Sequence, residues 1–185
     1  PARLGSSVGI VKVTAADDLG AALDEAFTHD PRVVIEAMAG GLEIECSVLG
    51  TPEEPEVSTP GEIALLGDAD WYDYEAKYAD GGMELIVPAR LPAGTTEQVQ
   101  RLAVASFVAT DCEGMARVDF FLHGEDELWV NELNTIPGFT SISMYPKLWE
   151  ASGLTYGELV ERLLDLAVER HEAERKSTGV RALGG

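Results

Sequence analysis

The stretches 116–122 and 128–133 read as two strands joined around His123-Gly-Glu-Asp-Glu127. Side chains alternate faces along a strand. A turn centred on residues 125–126 therefore sets Asp119 opposite Glu132 and Arg117 opposite Asn134, all on one face along with Phe121 and Val130. Two carboxylates directly opposed repel one another, so the pairing calls for a cation between them, a shared proton or full solvent exposure. Mg²⁺ takes carboxylate and amide oxygens, which makes Asp119, Glu132 and Asn134 a candidate oxygen set for a hard divalent ion. Beyond the second strand, Asn134-Thr-Ile-Pro-Gly138 forms a turn, with a glycine where backbone must approach something closely. The following Phe-Thr-Ser-Ile-Ser143-Met144 supplies hydroxyls and N–H groups. A cation site, a neighbouring arginine and an N–H-rich turn suit stabilisation of charge developing on a reacting carbonyl or phosphate.

Other segments carry weaker chemistry. Arg3-Leu-Gly5-Ser6-Ser7-Val-Gly9 can offer backbone N–H groups and hydroxyls to a phosphate, but it is not a Walker loop, because no Gly-Lys-Ser/Thr follows. Glu36 and Glu43 flank a turn at a strand end, where a carboxylate can accept ribose hydroxyls. Residues 67–82 are polar and aromatic without core periodicity and hold Lys77, one of only four lysines; a loop of this kind can close over a phosphate as a lid. Cys46 and Cys112 read as packing residues, and the three histidines are scattered.

Positioning these residues requires an α+β fold. Strands are expected at 8–13, 32–36, 43–49, 61–66 and 83–87, besides the hairpin. Helices are expected over 15–29, entered from Thr14, with an apolar stripe of Leu19, Ala22, Leu23, Ala26 and Phe27. A second runs from a capping box at Thr95 and Gln98 to Thr110, with Val99, Leu102, Ala103, Ser106 and Phe107 inward. Thr155 and Glu158 cap the last helix, and residues 172–185 read as a frayed tail. The pattern is mostly antiparallel strands with helices packed on the sheet.

The 185 residues carry a formal charge of −20 and no Lys/Arg cluster, which argues against a nucleic-acid partner. No apolar run is long enough to cross a membrane, no secretion signal is present, and two distant cysteines suit a reducing cytosol. The chain opens at Pro1 within what reads as a loop entering a strand, as expected of a portion of something longer.

In this order, Pro-Ala-Arg-Leu-Gly-Ser-Ser-Val-Gly9, Ile-Glu36, Tyr-Asp-Tyr-Glu-Ala-Lys-Tyr78, Arg-Val-Asp119 and Asn-Glu-Leu-Asn-Thr-Ile-Pro-Gly-Phe-Thr140 resemble the D-alanine–D-alanine ligase family, up to about Ala167. The resemblance implies an ATP-grasp fold. Residues 1–60 would form part of the central nucleotide-binding subdomain and 61–185 the C-terminal catalytic domain with lid 67–82, the family's N-terminal domain lying outside this chain. It also implies ATP-dependent joining of two D-alanines through an acyl phosphate, for peptidoglycan synthesis, by a cytoplasmic protein that is a homodimer at full length.

Carried onto matching positions, Asp119, Glu132 and Asn134 would hold two Mg²⁺ ions, with Mn²⁺ able to substitute and Glu132 bridging. Arg117 and the Gly138 N–H would steady the oxyanion, and Ser143 with Met144 would hold the second alanine's carboxylate. Glu36, Ala37, Ala39 and Glu43 would take adenine and ribose. Lys77 would reach the γ-phosphate, Ser7 would sit against the phosphates, and Tyr78 with Ser6 would tie lid to phosphate loop. Met38 stands where some members have Trp, and the family's lysine on the β-phosphate side would fall before Pro1. The alternatives are a D-alanine–D-lactate ligase, against which Tyr78 speaks, another ATP-grasp carboxylate–amine ligase, or a non-catalytic nucleotide and Mg²⁺ module.

Overall fold

The computed structural model describes residues 1–5, 7–65, 83–124, 126–140 and 143–177. They contain six strands, β1 (Leu42–Gly50), β2 (Pro55–Val57), β3 (Gly61–Leu65), β4 (Met83–Ile86), β5 (Gly114–His123) and β6 (Glu127–Asn134). The α-helices are α1 (Leu19–His29), α2 (Ala93–Ala109), α3 (Met144–Ala151) and α4 (Tyr156–Ser177). The strand order is β4-β3-β1-β5-β6, with β2 also paired to β1. β1 pairs antiparallel with β2, β3 and β5, and β5 pairs antiparallel with β6. The class is α+β, as the sequence implies.

The chain divides into two compact units, one of Pro1–Ala39 with Leu65–Glu84 and one of Gly40–Ala64 with Leu85–Gly185. In the second unit, β1 and β5 are the central strands, and their alternation separates two environments. Ile44, Cys46 and Val48 of β1 and Ala116, Val118, Phe120 and Leu122 of β5 point to one face, where Val99, Ala103 and Phe107 of α2 complete a core. The four-residue spacing on α2 is that of a helix burying a narrow stripe. On the opposite face, Leu49 packs with Tyr145 and Trp149 of α3 and Leu159 of α4. The Tyr145 hydroxyl donates to the Val48 carbonyl at 3.0 Å, tying α3 to β1. Gly61 admits this packing, because a Cβ there would stand 2.7 Å from Leu148 Cδ2. Gly41 must also be glycine, since its φ is +114° and a Cβ would meet the Leu122 carbonyl oxygen at 2.2 Å.

Several expectations are corrected. α2 begins at Ala93 after Pro92, so Thr95 is not a cap but a buried helical residue. Proline at the helix threshold already fixes a suitable backbone angle and needs no N–H partner. α1 is preceded by a 3-10 turn, Ala16–Asp18, rather than capped by Thr14. α4 runs on to Ser177, so residues 172–177 are helical; an Arg170–Glu174 pair at 2.9 Å supports that extension. The expected cap at Thr155 and Glu158 is present: Thr155 N–H donates to Glu158 Oε2 at 2.9 Å, and Glu158 N–H donates to Thr155 Oγ1 at 3.4 Å. α3 was not anticipated. Its apolar residues are spread around a helix of only eight, with Pro146 in its first turn.

In the first unit, 8–13 and 32–36 do not form strands. A strand requires a partner, and none pairs with them among the described residues. Val8, Ile10, Val11, Val13, Val34 and Ile35 are exposed as a result. Phe27, expected on the inward stripe of α1, is exposed too, whereas Ala26 is buried.

Candidate metal and nucleotide site

The hairpin pairs as its alternation predicts where the chemistry lies: Asp119 faces Glu132 and Arg117 faces Asn134. It does not pair so nearer the turn. The register shifts between Asp119 and Phe120, after which Phe120 faces Val130 and Phe121 faces Trp129. Val130 is therefore not on the face of the acids, and Trp129 takes the position opposite Phe121. The extra residue in β6 is Asn131, a bulge. Its physical cause is legible in the packing: Leu128 and Leu133 both lie against the α2-side core, five residues apart, which strict alternation forbids. The bulge lets both leucines and both polar residues, Glu132 and Asn134, keep their faces.

The third strand of the site comes from β1. Glu45 faces Asp119, and Ser47 faces Arg117. Three carboxylates, Glu45, Asp119 and Glu132, thus form a row across β1, β5 and β6, with Arg117 in the adjacent row. The Arg117 Nε and Nη2 donate to the two Asp119 oxygens, both at 2.7 Å. Arg117 Nε also lies 3.1 Å from Glu45 Oε2. The Asn134 amide donates to Asp119 Oδ2 and to Glu132 Oε1, each at 3.2 Å, and so bridges the two hairpin acids.

Side-chain exposure falls from 21% for Arg117 through 14% for Asp119 to 8% for Glu45. Burial works against the guanidinium charge, but the hydrogen bond to Asp119 and the charges of Glu45, Asp119 and Glu132 outweigh it and hold Arg117 above its ordinary value. Glu45 was not among the residues singled out from sequence. The alternation Glu43-x-Glu45 could have placed it on the face of Glu43, but not beside Asp119, because β1 and β5 are far apart in the chain.

The donor set suits a hard cation. Three acids and one arginine leave a local excess of negative charge, and Asp119, Glu132 and Asn134 already converge through one amide. Among the described residues, no group of three or more His, Cys, Asp or Glu side chains is placed to hold a metal ion by itself.

Gly138 and Ser143 come together: a Cβ at Gly138 would lie 2.9 Å from Ser143 Oγ. Ser143 precedes α3 in an extended conformation but does not cap it with its side chain. Its hydroxyl accepts from Thr140 N–H at 3.0 Å and lies 2.8 Å from Thr140 Oγ1. Met144 is buried at the first helical position. Glu43 is half-buried on β1, opposite Phe121 and two residues from Glu45 on the same face.

In the first unit, Ser7 has φ 60°, a left-handed conformation unusual for serine, within successive turns closed by Val8 N–H to Gly5 O and Ile10 N–H to Ser7 O, both 3.3 Å. Glu36 and Ala37 are exposed and Ala39 half-buried, all outside regular structure. Ser6, Lys77, Tyr78 and the expected lid 67–82 lie outside the described residues. Both cysteines are buried and free, and burial pushes the Cys46 thiol up to about 12. None of the described helices is long and apolar enough to cross a membrane.

Comparison with known proteins bears on this arrangement. The family described as D-ala D-ala ligase C-terminus matches residues 1–165. A D-alanine–D-alanine ligase of Streptomyces coelicolor is 52% identical over 170 residues, which are 92% of this chain and 43% of that protein. One of Oceanobacillus iheyensis is 47% identical over 185 residues, 100% of this chain and 50% of that protein. The solved D-alanine-D-alanine ligase of Coxiella burnetii superposes with a TM-score of 0.81 at 40% identity, covering 95% of this chain and 45% of its own. The VanG D-Ala:D-Ser ligase of Enterococcus faecalis does so at 0.77 and 39%, covering 88% and 46%. The chain spans about half the length of the curated relatives it matches.

Proposed function

Because this chain belongs to the D-ala D-ala ligase C-terminus family and has the ATP-grasp fold, we propose that it supplies the metal- and nucleotide-handling part of an ATP-dependent ligase that joins two D-alanines for peptidoglycan synthesis. The single observation that carries the reading is the pairing of Asp119 with Glu132, joined by Asn134 and flanked by Arg117. Residues 1–60 then belong to the nucleotide-binding subdomain and 61–185 to the catalytic domain. A cytoplasmic location and a homodimer at full length are parts of the same reading.

In this reading Asp119, Glu132 and Asn134 would hold Mg²⁺ or Mn²⁺, which would supply positive charge for phosphoryl transfer from ATP. The carboxylate of the first alanine takes the γ-phosphoryl group of ATP, with ADP leaving, to give an acyl phosphate. The neutral amine of the second attacks the acyl carbon, and the tetrahedral intermediate loses the amine proton and expels phosphate. Arg117, held against Asp119 and Glu45, presents fixed positive charge where the oxyanion develops, and the Gly138 N–H assists. Ser143 and Met144 hold the second alanine's carboxylate. Ser7 contacts the phosphates, while Glu36, Ala37, Ala39 and Glu43 take adenine and ribose. Lys77 closes on the γ-phosphate, with Tyr78 and Ser6 joining lid to loop; exclusion of water protects the acyl phosphate.

The test is Asp119→Asn. It removes one carboxylate charge with little change of shape, so Mg²⁺·ATP binds about tenfold or more weakly while the fold persists, as calorimetric titration and circular dichroism would show. Unchanged affinity overturns the metal assignment. Competition between D-alanine and D-lactate in a full-length enzyme carrying this span decides the second substrate.

A further inference from the structure

We infer that Glu45 is a positioning residue that holds Arg117 in place while Asp119 turns from the arginine to a divalent cation. The inference rests on the metal reading above and deepens it. Both Asp119 oxygens are engaged by Arg117 at 2.7 Å. A carboxylate so engaged must give up at least part of that pairing to ligate a metal. The guanidinium left behind is largely buried, and an unpaired buried charge is strongly destabilising. Glu45 removes that obstacle. It lies across the β1–β5 ladder from Asp119, is itself buried, and its Oε2 is 3.1 Å from the same Nε that Asp119 holds. Arg117 is thus hydrogen-bonded by Asp119 and in ion-pair contact with Glu45, and loss of the hydrogen bonds leaves the ion pair. The arrangement also explains why a buried glutamate is present on a face already crowded with acids. Directly opposed like charges on neighbouring strands are unfavourable, and the shared arginine offsets the cost.

The test has two arms on the 185-residue protein. In the first, Asp119→Ala stands in for an Asp119 engaged elsewhere, and ¹⁵N-edited NMR follows the Arg117 Nε–H. The resonance stays sharp and slow to exchange in wild type and in Asp119→Ala. It broadens or is lost in the double variant with Glu45→Gln. Loss already in Asp119→Ala, or persistence in the double variant, overturns the inference. In the second arm, Mn²⁺ with a non-hydrolysable ATP analogue is titrated by electron paramagnetic resonance. Glu45→Gln weakens Mn²⁺ binding about fivefold to tenfold. Glu45→Asp, which keeps the charge but is one methylene shorter, weakens it nearly as much. If Glu45→Asp binds like wild type while Glu45→Gln does not, Glu45 acts by charge alone and the inference fails. Absence of Mn²⁺ binding in the wild type counts against the proposed function, and the first arm still decides Glu45. Circular dichroism on each variant separates loss of position from loss of fold.

Discussion

Single side chains set two separate electrostatic devices in this protein, and they differ in what they do. At the hairpin, one arginine serves three acids and leaves an excess that invites a cation. In the first unit, Asp30 is satisfied in full: Arg3 Nη2 donates to it at 2.8 Å, and the N–H groups of Arg3 and Arg32 each reach it at 2.9 Å. The Arg3 side chain, followed by the Arg32 N–H, pulls Asp30 down to about 2. A depressed carboxylate binds its proton less tightly folded than unfolded. Its contribution is therefore complete above the ordinary carboxylate range and lost as pH falls through the folded value. Wild type and Asp30→Asn are expected to differ in hydrogen-exchange protection of α1 at neutral pH. The difference should shrink below about pH 4 and vanish only below about pH 2. A difference that persists unchanged to the acid end contradicts the assignment.

Elements, rather than residues, decide whether the hairpin acids meet. β6 must bury Leu128 and Leu133 on one face while turning Glu132 and Asn134 to the other, and only the Asn131 bulge permits both. Deleting Asn131 forces a choice between two losses. If Leu128 keeps its place, Glu132 leaves Asp119; if the acids keep theirs, Leu128 leaves the core. The second outcome costs about 1–2 kcal/mol for a partly buried leucine. Either a fall in thermal midpoint or a loss of Mn²⁺ binding is thus expected of the deletion, and a variant with neither would mean that the bulge is dispensable.

The same strand marks how far the sequence could be read. The Asp119–Glu132 and Arg117–Asn134 pairs agree with alternation from a turn at 125–126, but the ladder beside the turn is out of that register, with His123 facing Glu127, and only the Asn131 bulge restores it. The bulge was hidden, although Leu128 and Leu133 five apart hinted at it, and Val130 was put on the wrong face. Glu45 was hidden because the β1–β5 pairing joins residues more than seventy positions apart, which periodicity does not report. α3 escaped because eight residues with a proline show no stripe. The strands expected at 8–13 and 32–36 were read from apolar content alone, and content without a partner does not make a strand.

On the scale of the whole molecule, the relatives named D-alanine–D-alanine ligase are about twice as long as this chain. The second unit has its own core and the full set of hairpin site residues. The first exposes a run of valines and isoleucines that apolar burial would favour covering. In the proposed reading the metal and most of the nucleotide fall to residues of this chain, whereas about half the length of the relatives lies outside it. Binding of the metal–nucleotide and formation of dipeptide should therefore separate. The isolated chain is expected to bind Mg²⁺·ATP in a calorimetric titration yet release no phosphate in response to D-alanine in a coupled assay. A full-length enzyme carrying this span should do both. D-alanine-dependent turnover by the 185 residues alone, at the rate of a full-length relative, would show that the relatives' additional length contributes nothing essential to the reaction.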